Sequence, residues 1–402
     1  MKNFKQLLIV AFAIAATACT STPKCNLIEE NIENAKLQIS ALLEASEATG
    51  EIRIPSTYEN GEIEFVPTDD WVSGFFAGTL WYMYELTGEE KWAEHAKRHT
   101  EVLDSIQYLK WHHDVGFMIY DSYGHGLRLK GYEPYKQVII NTAASLATRF
   151  REVPGVIQSW DADRGWQGER GWECPVIIDN MMNLELMFKA TELSGDSTYY
   201  NIAVSHADRT MQEHFREDYS CYHVVDYGLT QGEVRRRCTA QGCADESVWA
   251  RGQSWAIYGY TTCYRITGEQ KYLDHALKVY DFFINDPRLP EDKIPYWDFD
   301  APGIPNEPRD ASTAAIIASA LYEIYTYTQD PAHKAQADEL LATLSTPAYR
   351  AEVGTNGNFI LMHSVGSLPH GSNIDQPLNY ADYYFLEALI RKGRVERGEK
   401  LF

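Results

Sequence analysis

The chain has 402 residues and a formal charge of −21; 45% of its residues are hydrophobic and 13% aromatic. The length suits one large domain or two to three ordinary ones. The acidity argues against a nucleic-acid binder, which needs a basic surface, and gives no long-range pull on an anionic ligand, so an anion must be held by a few local Arg, His or backbone donors. With 26 Tyr and 10 Trp, aromatic side chains are left over for a cleft.

The N-terminus reads as a targeting segment. Lys2 and Lys5 precede an apolar run from Leu7 to Ala18 that is too short to span a bilayer comfortably. Ala16-Thr17-Ala18-Cys19 resembles a bacterial lipobox. Residues 1–18 are then a lipoprotein signal peptide, Cys19 is the lipidated first mature residue, and 19–25 form a tether. The alternative is an ordinary secretory signal. Either way the protein is expected to be exported, to the periplasm or the outer membrane, and to touch a membrane only through the lipid. Export permits disulfides. The remaining cysteines, Cys25, Cys174, Cys221, Cys238, Cys243 and Cys263, allow fifteen pairings; Cys238 and Cys243 are the two expected to lie nearest each other.

From residue 26 onward the chain is helical in character and is expected to be all-α. NLIEENIENAKLQISALLEAS (26–46) has apolar residues at helical spacing. After a connector to about Asp70, one signature recurs: an apolar helix, a Thr/Ser-Gly-acid turn, then an aromatic opening an amphipathic helix. It occurs at 80–99, 187–207 and 260–279, with a degraded copy at 320–341. The glycine suits the left-handed position that ends a helix, so each copy is a helix hairpin. Repeated hairpins bury their apolar faces by stacking or closing into a ring. Their uneven spacing disfavours a regular solenoid. Aromatic-rich inserts at about 105–178, 213–250 and 286–312 suit loops at one mouth of a toroid. A single α/α-barrel domain over 26–402 is expected.

The polar constellations lie mostly in those inserts. GWECPVIIDNMMNLELMFKATELS (171–194) sets Asp179 in an apolar run that reads as a loop entering a buried helix. A carboxyl placed there loses hydration, which raises its pKa and makes it a proton donor near neutral pH; the plain alternative is a helix N-cap. WHHDVGF (111–117) carries Asp114, a second acid able to split its pKa from that of Asp179, or a simple Asp turn closed by Gly116. The adjacent His112, His113 and Asp114 cannot easily face one metal, and no HExxH helix is present, so no metal is expected. CYHVVDY (221–227) presents His223 in an alternating segment, where a lone His is usually structural. In TAQGCADESVWARGQSWAIYGY (239–260), Asp245, Glu246 and Ser247 suit a helix start. Arg251 and Trp255 share a helix face, with Trp249 at the entry. An Arg beside Trp rings fits a sugar carboxylate with the ring stacked alongside; the alternative is Arg–Trp packing with Glu246 as counter-ion. Trp160 of QSWD and Trp71 of DDWVSGFFAGTLW are not evidence alone. HGSNIDQPLNYADYYFLEALI (370–390) opens a closing helix at about Tyr380.

Taken together, DDWVSGFFAGTLW, WHHDVGF, VIIDNMMNL, CYHVVDY, VWARGQSWAIYG and NYADYYFLEAL resemble the unsaturated glucuronyl hydrolases, glycoside hydrolase family 88, in that family's order, over roughly residues 26–395. The resemblance implies an α/α six-hairpin barrel and no metal or organic cofactor. It implies as substrate an oligosaccharide left by polysaccharide lyases, ending in a Δ4,5-unsaturated uronic acid. It implies Asp179 as general acid/base and Asp114 as its partner. His223, Gln241 and Arg251 would bind the uronate, while Trp71, Trp160, Trp249 and Trp255 line the pocket. Glycosaminoglycan-derived disaccharides are favoured. Ser364, Ser367 and Ser372 occur where sulfate-accepting relatives carry a serine- and lysine-bearing segment, but without the lysine; Arg235, Arg236 and Arg237 are the alternative cations. The rival readings are an unsaturated rhamnogalacturonyl hydrolase acting on pectin fragments and a non-catalytic glycan-binding lipoprotein.

Overall fold

A computed structural model describes residues 26–402; the leader, Cys19, the tether and Cys25 lie outside the described residues. In chain order the elements are α1 (Leu27–Glu47), β1 (Ile54–Glu59), β2 (Glu62–Val66), α2 (Ser73–Thr87), α3 (Glu90–Glu101), α4 (Val115–Ile119), α5 (His125–Lys130) and α6 (Pro134–Ala147). There follow β3 (Phe150–Arg151), β4 (Val156–Ile157), α7 (Gly165–Gly168), β5 (Cys174–Ile177), α8 (Leu184–Ser194), α9 (Ser197–Glu213), β6 (Val224–Tyr227) and β7 (Val234–Cys238). The chain ends with α10 (Ala250–Thr267), α11 (Gln270–Asn285), α12 (Ala311–Thr328), α13 (Pro331–Leu344), β8 (Ser364–Ser367), β9 (Ser372–Gln376) and α14 (Asn379–Arg397).

The recurrent hairpins form as expected. Gly88, Gly195 and Gly268 close α2, α8 and α10 with φ of 69°, 74° and 69°, and each donates its N–H to the carbonyl four residues back. In the degraded copy Gln329 takes the same left-handed conformation at the end of α12, a position where a side chain costs about 1–2 kcal/mol. The first helices are buried nearly all round: α10 from Ala250 to Cys263, α12 from Ala311 to Ile324. Such helices belong inside a structure, whereas their amphipathic partners cover them from outside.

The inner ring runs α2, α4–α5, α8, α10, α12, α14 and back to α2, with successive members in contact. Helices α3, α6, α9, α11 and α13 pack behind it. The last hairpin joins the two ends of the described chain, with α14 inside and α1 outside. Helix α1 is pinned to α3 by His95–Glu47 (2.9 Å) and to the end of α13 by Asn31–Ser345 (2.9 Å). This is the α/α six-hairpin toroid in one domain.

Three local expectations are corrected. The stretch 105–178 is not all insert, because it holds the hairpin α4–α5–α6. Its inner helix is interrupted by a π-helical turn at Tyr120–Gly124, and Gly116, Gly124 and Gly126 dilute the apolar period. The approach to Asp179 is a strand, β5, that pairs antiparallel with β6. The helix of the WARGQSW motif starts at Ala250, not at Asp245–Ser247; Ser247 and Asp245 instead close a turn against Asp298 and Thr239. Cys174, Cys221, Cys238, Cys243 and Cys263 are all free thiols, so Cys238 and Cys243 are not joined.

Close helix contacts in the ring depend on glycine. A Cβ on Gly74 would fall against the backbone carbonyl of Met118, and one on Gly78 against the Tyr383 ring and the Asp121 carbonyl. A backbone neighbour cannot turn aside. Gly74→Ala is therefore expected to destabilise the fold by about 1–3 kcal/mol, read as a lowered guanidinium midpoint with an unchanged slope.

Candidate active site

The inner helices α2, α4, α10, α12 and α14 all begin at one end of the ring. Trp71, Asp114, Trp249, Asp310 and Tyr380 stand within two residues of their starts. At this mouth lies a cleft whose narrow end, of about 90 Å³, is lined by Trp71, Asp114, Trp160, Asp179, Gln241 and Trp255, among others. It opens into a vestibule of about 650 Å³ that shares Trp71, His113, Asp114, Trp160 and Gln241 with it.

Asp179 sits on a 3-10 turn, Ile178–Asn183, between β5 and α8. The N-cap alternative is thereby excluded, since α8 begins five residues later. Asp114 sits on the turn into α4. Asn183 ties the two turns together: its Oδ1 accepts the Phe117 N–H (3.2 Å) and its Nδ2 donates to Asn180 Oδ1 (2.9 Å). Asn180 in turn donates to the Ile157 carbonyl (2.7 Å). Gly116 is needed here, because a Cβ would strike Asn183.

Burial pushes both carboxyls up. Asp179 reaches about 6, opposed chiefly by the positive charge of Arg251. Asp114 is raised well above its usual value by burial, then by the negative charges of Asp179 and Asp70, with Arg149 opposing. The pair therefore keeps a proton near neutral pH.

His223 lies on the loop into β6. Its Nδ1 accepts the N–H groups of Ala240 (3.0 Å) and Gln241 (3.1 Å). Burial drives its pKa far below 6.5, so the ring is neutral with the proton on Nε2. That Nε2 has no hydrogen-bond partner and lies 3.7 Å from Asp179 Oδ2, which is also unpartnered. The indole N–H of Trp255 is likewise unpartnered.

Arg251 differs from its expected role. Its Nη1 donates to Asp310 Oδ2 (3.0 Å) and the Val365 carbonyl, and its Nη2 to the Gly366 carbonyl (2.6 Å) and Gln241 Oε1 (3.4 Å). Only Nε is unpartnered. The guanidinium anchors the β8–β9 hairpin and holds a fixed positive charge behind the cleft; it does not stand open to it. Its counter-ion is Asp310, not Glu246, which meets Tyr222 and Arg216 instead. Trp249 packs between Arg251 and His223, with ring-centre distances of 4.6 and 4.7 Å, behind the cleft wall. Trp71 and Trp160 do line the cleft. Of the alternative cations, Arg235 is taken by Asp226 (2.6 Å) and Arg237 by Glu213 (2.7 Å), and none of Arg235–Arg237 lines the cleft.

Sequence reasoning weighed His113 only as a metal ligand, and missed Asp310 and, at the vestibule, Trp111, Arg164, Trp166 and His370. Trp166 packs on Trp160 (5.1 Å) and His370 (5.2 Å). Only the RGWQGERGW repetition at 164–172 hinted at this wall.

A toroid of helix hairpins whose inner-helix starts surround two largely desolvated carboxyls, both with raised pKa values, defines a barrel glycosidase. No family model matches the chain. It is 47% identical to the unsaturated glucuronyl hydrolase of Formosa agariphila over 328 residues, 81% of each chain. It is 32% identical to the unsaturated chondroitin disaccharide hydrolase of Streptococcus agalactiae, covering 90% of this chain and 91% of that one. A crystal structure of an unsaturated glucuronyl hydrolase specific for heparin superposes with a TM-score of 0.87 at 43% identity, over 92% of this chain and 98% of that one. The chain belongs to the unsaturated glucuronyl hydrolases, glycoside hydrolase family 88.

Arg251 and Asp310 are nearly unexposed. Removing one ion of such a pair strands the other, so Asp310→Ala is expected to cost about 3–5 kcal/mol in chemical denaturation.

Proposed function

We propose that the enzyme releases the Δ4,5-unsaturated uronic acid from the non-reducing end of lyase-generated oligosaccharides by hydrating the C4=C5 enol ether. The observation that carries this is the knot of unpartnered polar atoms around a raised carboxyl: Asp179 Oδ2, His223 Nε2 and Trp255 Nε1. Such groups are costly to leave empty and suit a polar ring that completes them.

The partner is an anionic sugar, and the local field accounts for its capture by a chain of charge −21. The positive ends of the inner helices converge on the mouth, and Arg251 adds a buried cation. A uronate carboxylate bound there also raises the pKa of Asp179 further, so substrate brings the acid into its protonated form. Asp179 then donates its proton to C4. The π bond breaks and positive charge develops at C5 and the ring oxygen, next to the carboxylate that Asp179 has become and its partner Asp114. Water adds at C5 and returns a proton to Asp179. The resulting hemiketal opens, and the C1 hemiacetal expels the neighbouring sugar. Protonation at carbon separates this reaction from ordinary glycoside hydrolysis, where the acid serves the glycosidic oxygen. His223 Nε2–H and Gln241 are the donors proposed for the uronate, with Trp71, Trp160 and Trp255 as its walls.

Glycosaminoglycan-derived disaccharides remain the favoured substrates, supported by relatives named for chondroitin disaccharides and for heparin. Unsaturated rhamnogalacturonyl disaccharide is the competing substrate in the same panel. Asp179→Asn is expected to bind substrate and lose turnover by at least about two orders of magnitude, followed as decay of the enol-ether ultraviolet absorbance; near-normal turnover would refute the assignment. Because the acid must enter protonated, kcat/KM is expected to fall as pH rises above about 6. A rate that climbed through that range would contradict Asp179 as the acid.

The leader supports a further reading, that the enzyme is an exported lipoprotein anchored at Cys19. Palmitate labelling of the expressed protein should be present in the wild type and absent in Cys19→Ser.

A further inference from the structure

Arg149 stands just past the C-terminal end of α6, 2% exposed, and no step above uses it. All three of its nitrogens are committed. Nη1 donates to the Lys110 carbonyl (2.8 Å), Nε to the Gln158 carbonyl (2.8 Å), and Nη2 to the Ser159 carbonyl (3.2 Å) and Asp161 Oδ1 (3.0 Å). One planar fork thus joins the strand of chain entering the Asp114 turn to the segment carrying Trp160. That segment continues the frame to the other acid. Ser159 donates its N–H to the Pro175 carbonyl (2.9 Å), and its hydroxyl accepts the Ile177 N–H (3.0 Å), two residues before Asp179.

We propose that Arg149 is a positioning residue for the acid pair: it sets the gap between Asp114 and Asp179 and supplies a fixed positive charge behind Asp114. The inference rests on the reading of those two residues as the catalytic acids. The charged and titratable groups facing Asp114 are Asp179 on the 3-10 turn, Asp70 ahead of α2, His112 and His113 on its own loop, and Arg149 itself. Burial keeps both histidines neutral at working pH. Arg149 is therefore the cation on that side of the pair. Asp161, itself partly exposed and shared with Arg164, masks part of its charge.

The test compares wild type, Arg149→Met, Arg149→Lys and Asp161→Asn across pH on an unsaturated disaccharide that the wild type turns over, with circular dichroism reporting the fold. Arg149→Met should lower kcat about ten-fold or more through loss of alignment. KM should change far less, and the alkaline limb of kcat/KM should stay near 6, because that limb belongs to Asp179, whose opposing cation is Arg251. Arg149→Lys keeps the charge without the fork, so kcat should recover only in part. Asp161→Asn weakens one acceptor of the fork and should lower kcat by a smaller factor with KM little changed; it carries the test if Arg149→Met does not fold. A folded Arg149→Met with near-normal kcat, a loss that falls on KM instead of kcat, or an Asp161→Asn enzyme with unchanged kcat would overturn the proposal. Absence of wild-type turnover on every unsaturated disaccharide would instead overturn the functional reading on which it rests.

Discussion

Two carboxyl groups withdrawn from water into one cleft are the constraint on which the site depends. Neither can ionise freely, because each lacks hydration and the charge of one opposes the charge of the other. The fold enforces this by bringing two sequence-distant turns together through Asn183 and the bare backbone of Gly116. Everything that holds those turns also holds the proton.

The charges behind the cleft are arranged to match. Arg251 opposes the rise of Asp179, and Arg149 opposes that of Asp114. Both cations are buried, and both donate to backbone carbonyls, in three of the four bonds of Arg149 and two of the four of Arg251. That combination makes them structural and electrostatic at once. The β8–β9 hairpin, which brings His370 to the vestibule, is fastened by the same guanidinium that lies near the acid. The vestibule wall and the electrostatics of Asp179 therefore share one anchor.

A second polar network lies among the inner helices α2, α5, α10, α12 and α14. Glu387 accepts from Tyr82 (2.8 Å), Tyr258 (3.0 Å), Ser319 (2.5 Å) and Arg391 (3.1 Å). Tyr383 joins Asp121 (3.1 Å) to His125 (2.8 Å). Such a network is stable only when nearly every member is satisfied. It gives the ring an interior set by hydrogen-bond geometry as well as by volume.

Much of the architecture could be read without coordinates. The Thr/Ser-Gly-acid turns at Gly88, Gly195 and Gly268 mark hairpins because left-handed backbone is cheap for glycine, and buried-all-round helices such as α10 and α12 announce an inner ring. The α4–α5–α6 hairpin escaped because a π-turn and three glycines erase the 3.6-residue period. Asp114 and Asp179 were locally visible as acids in aromatic or apolar settings, and Arg251 with Trp249 and Trp255 as a cation beside indole rings, whereas His223, Gln241, Trp71 and Trp160 were carried only by the family resemblance of their motifs. Which nitrogen of His223 is free, which carboxylate partners Arg251, and which charges surround Asp114 were not. Those depend on partners tens to hundreds of residues away: Ala240 and Gln241, Asp310 and Val365, Arg149 and Asp70. Local sequence sets conformational preference and chemical type. Burial and the direction of each charge exist only once the ring has closed.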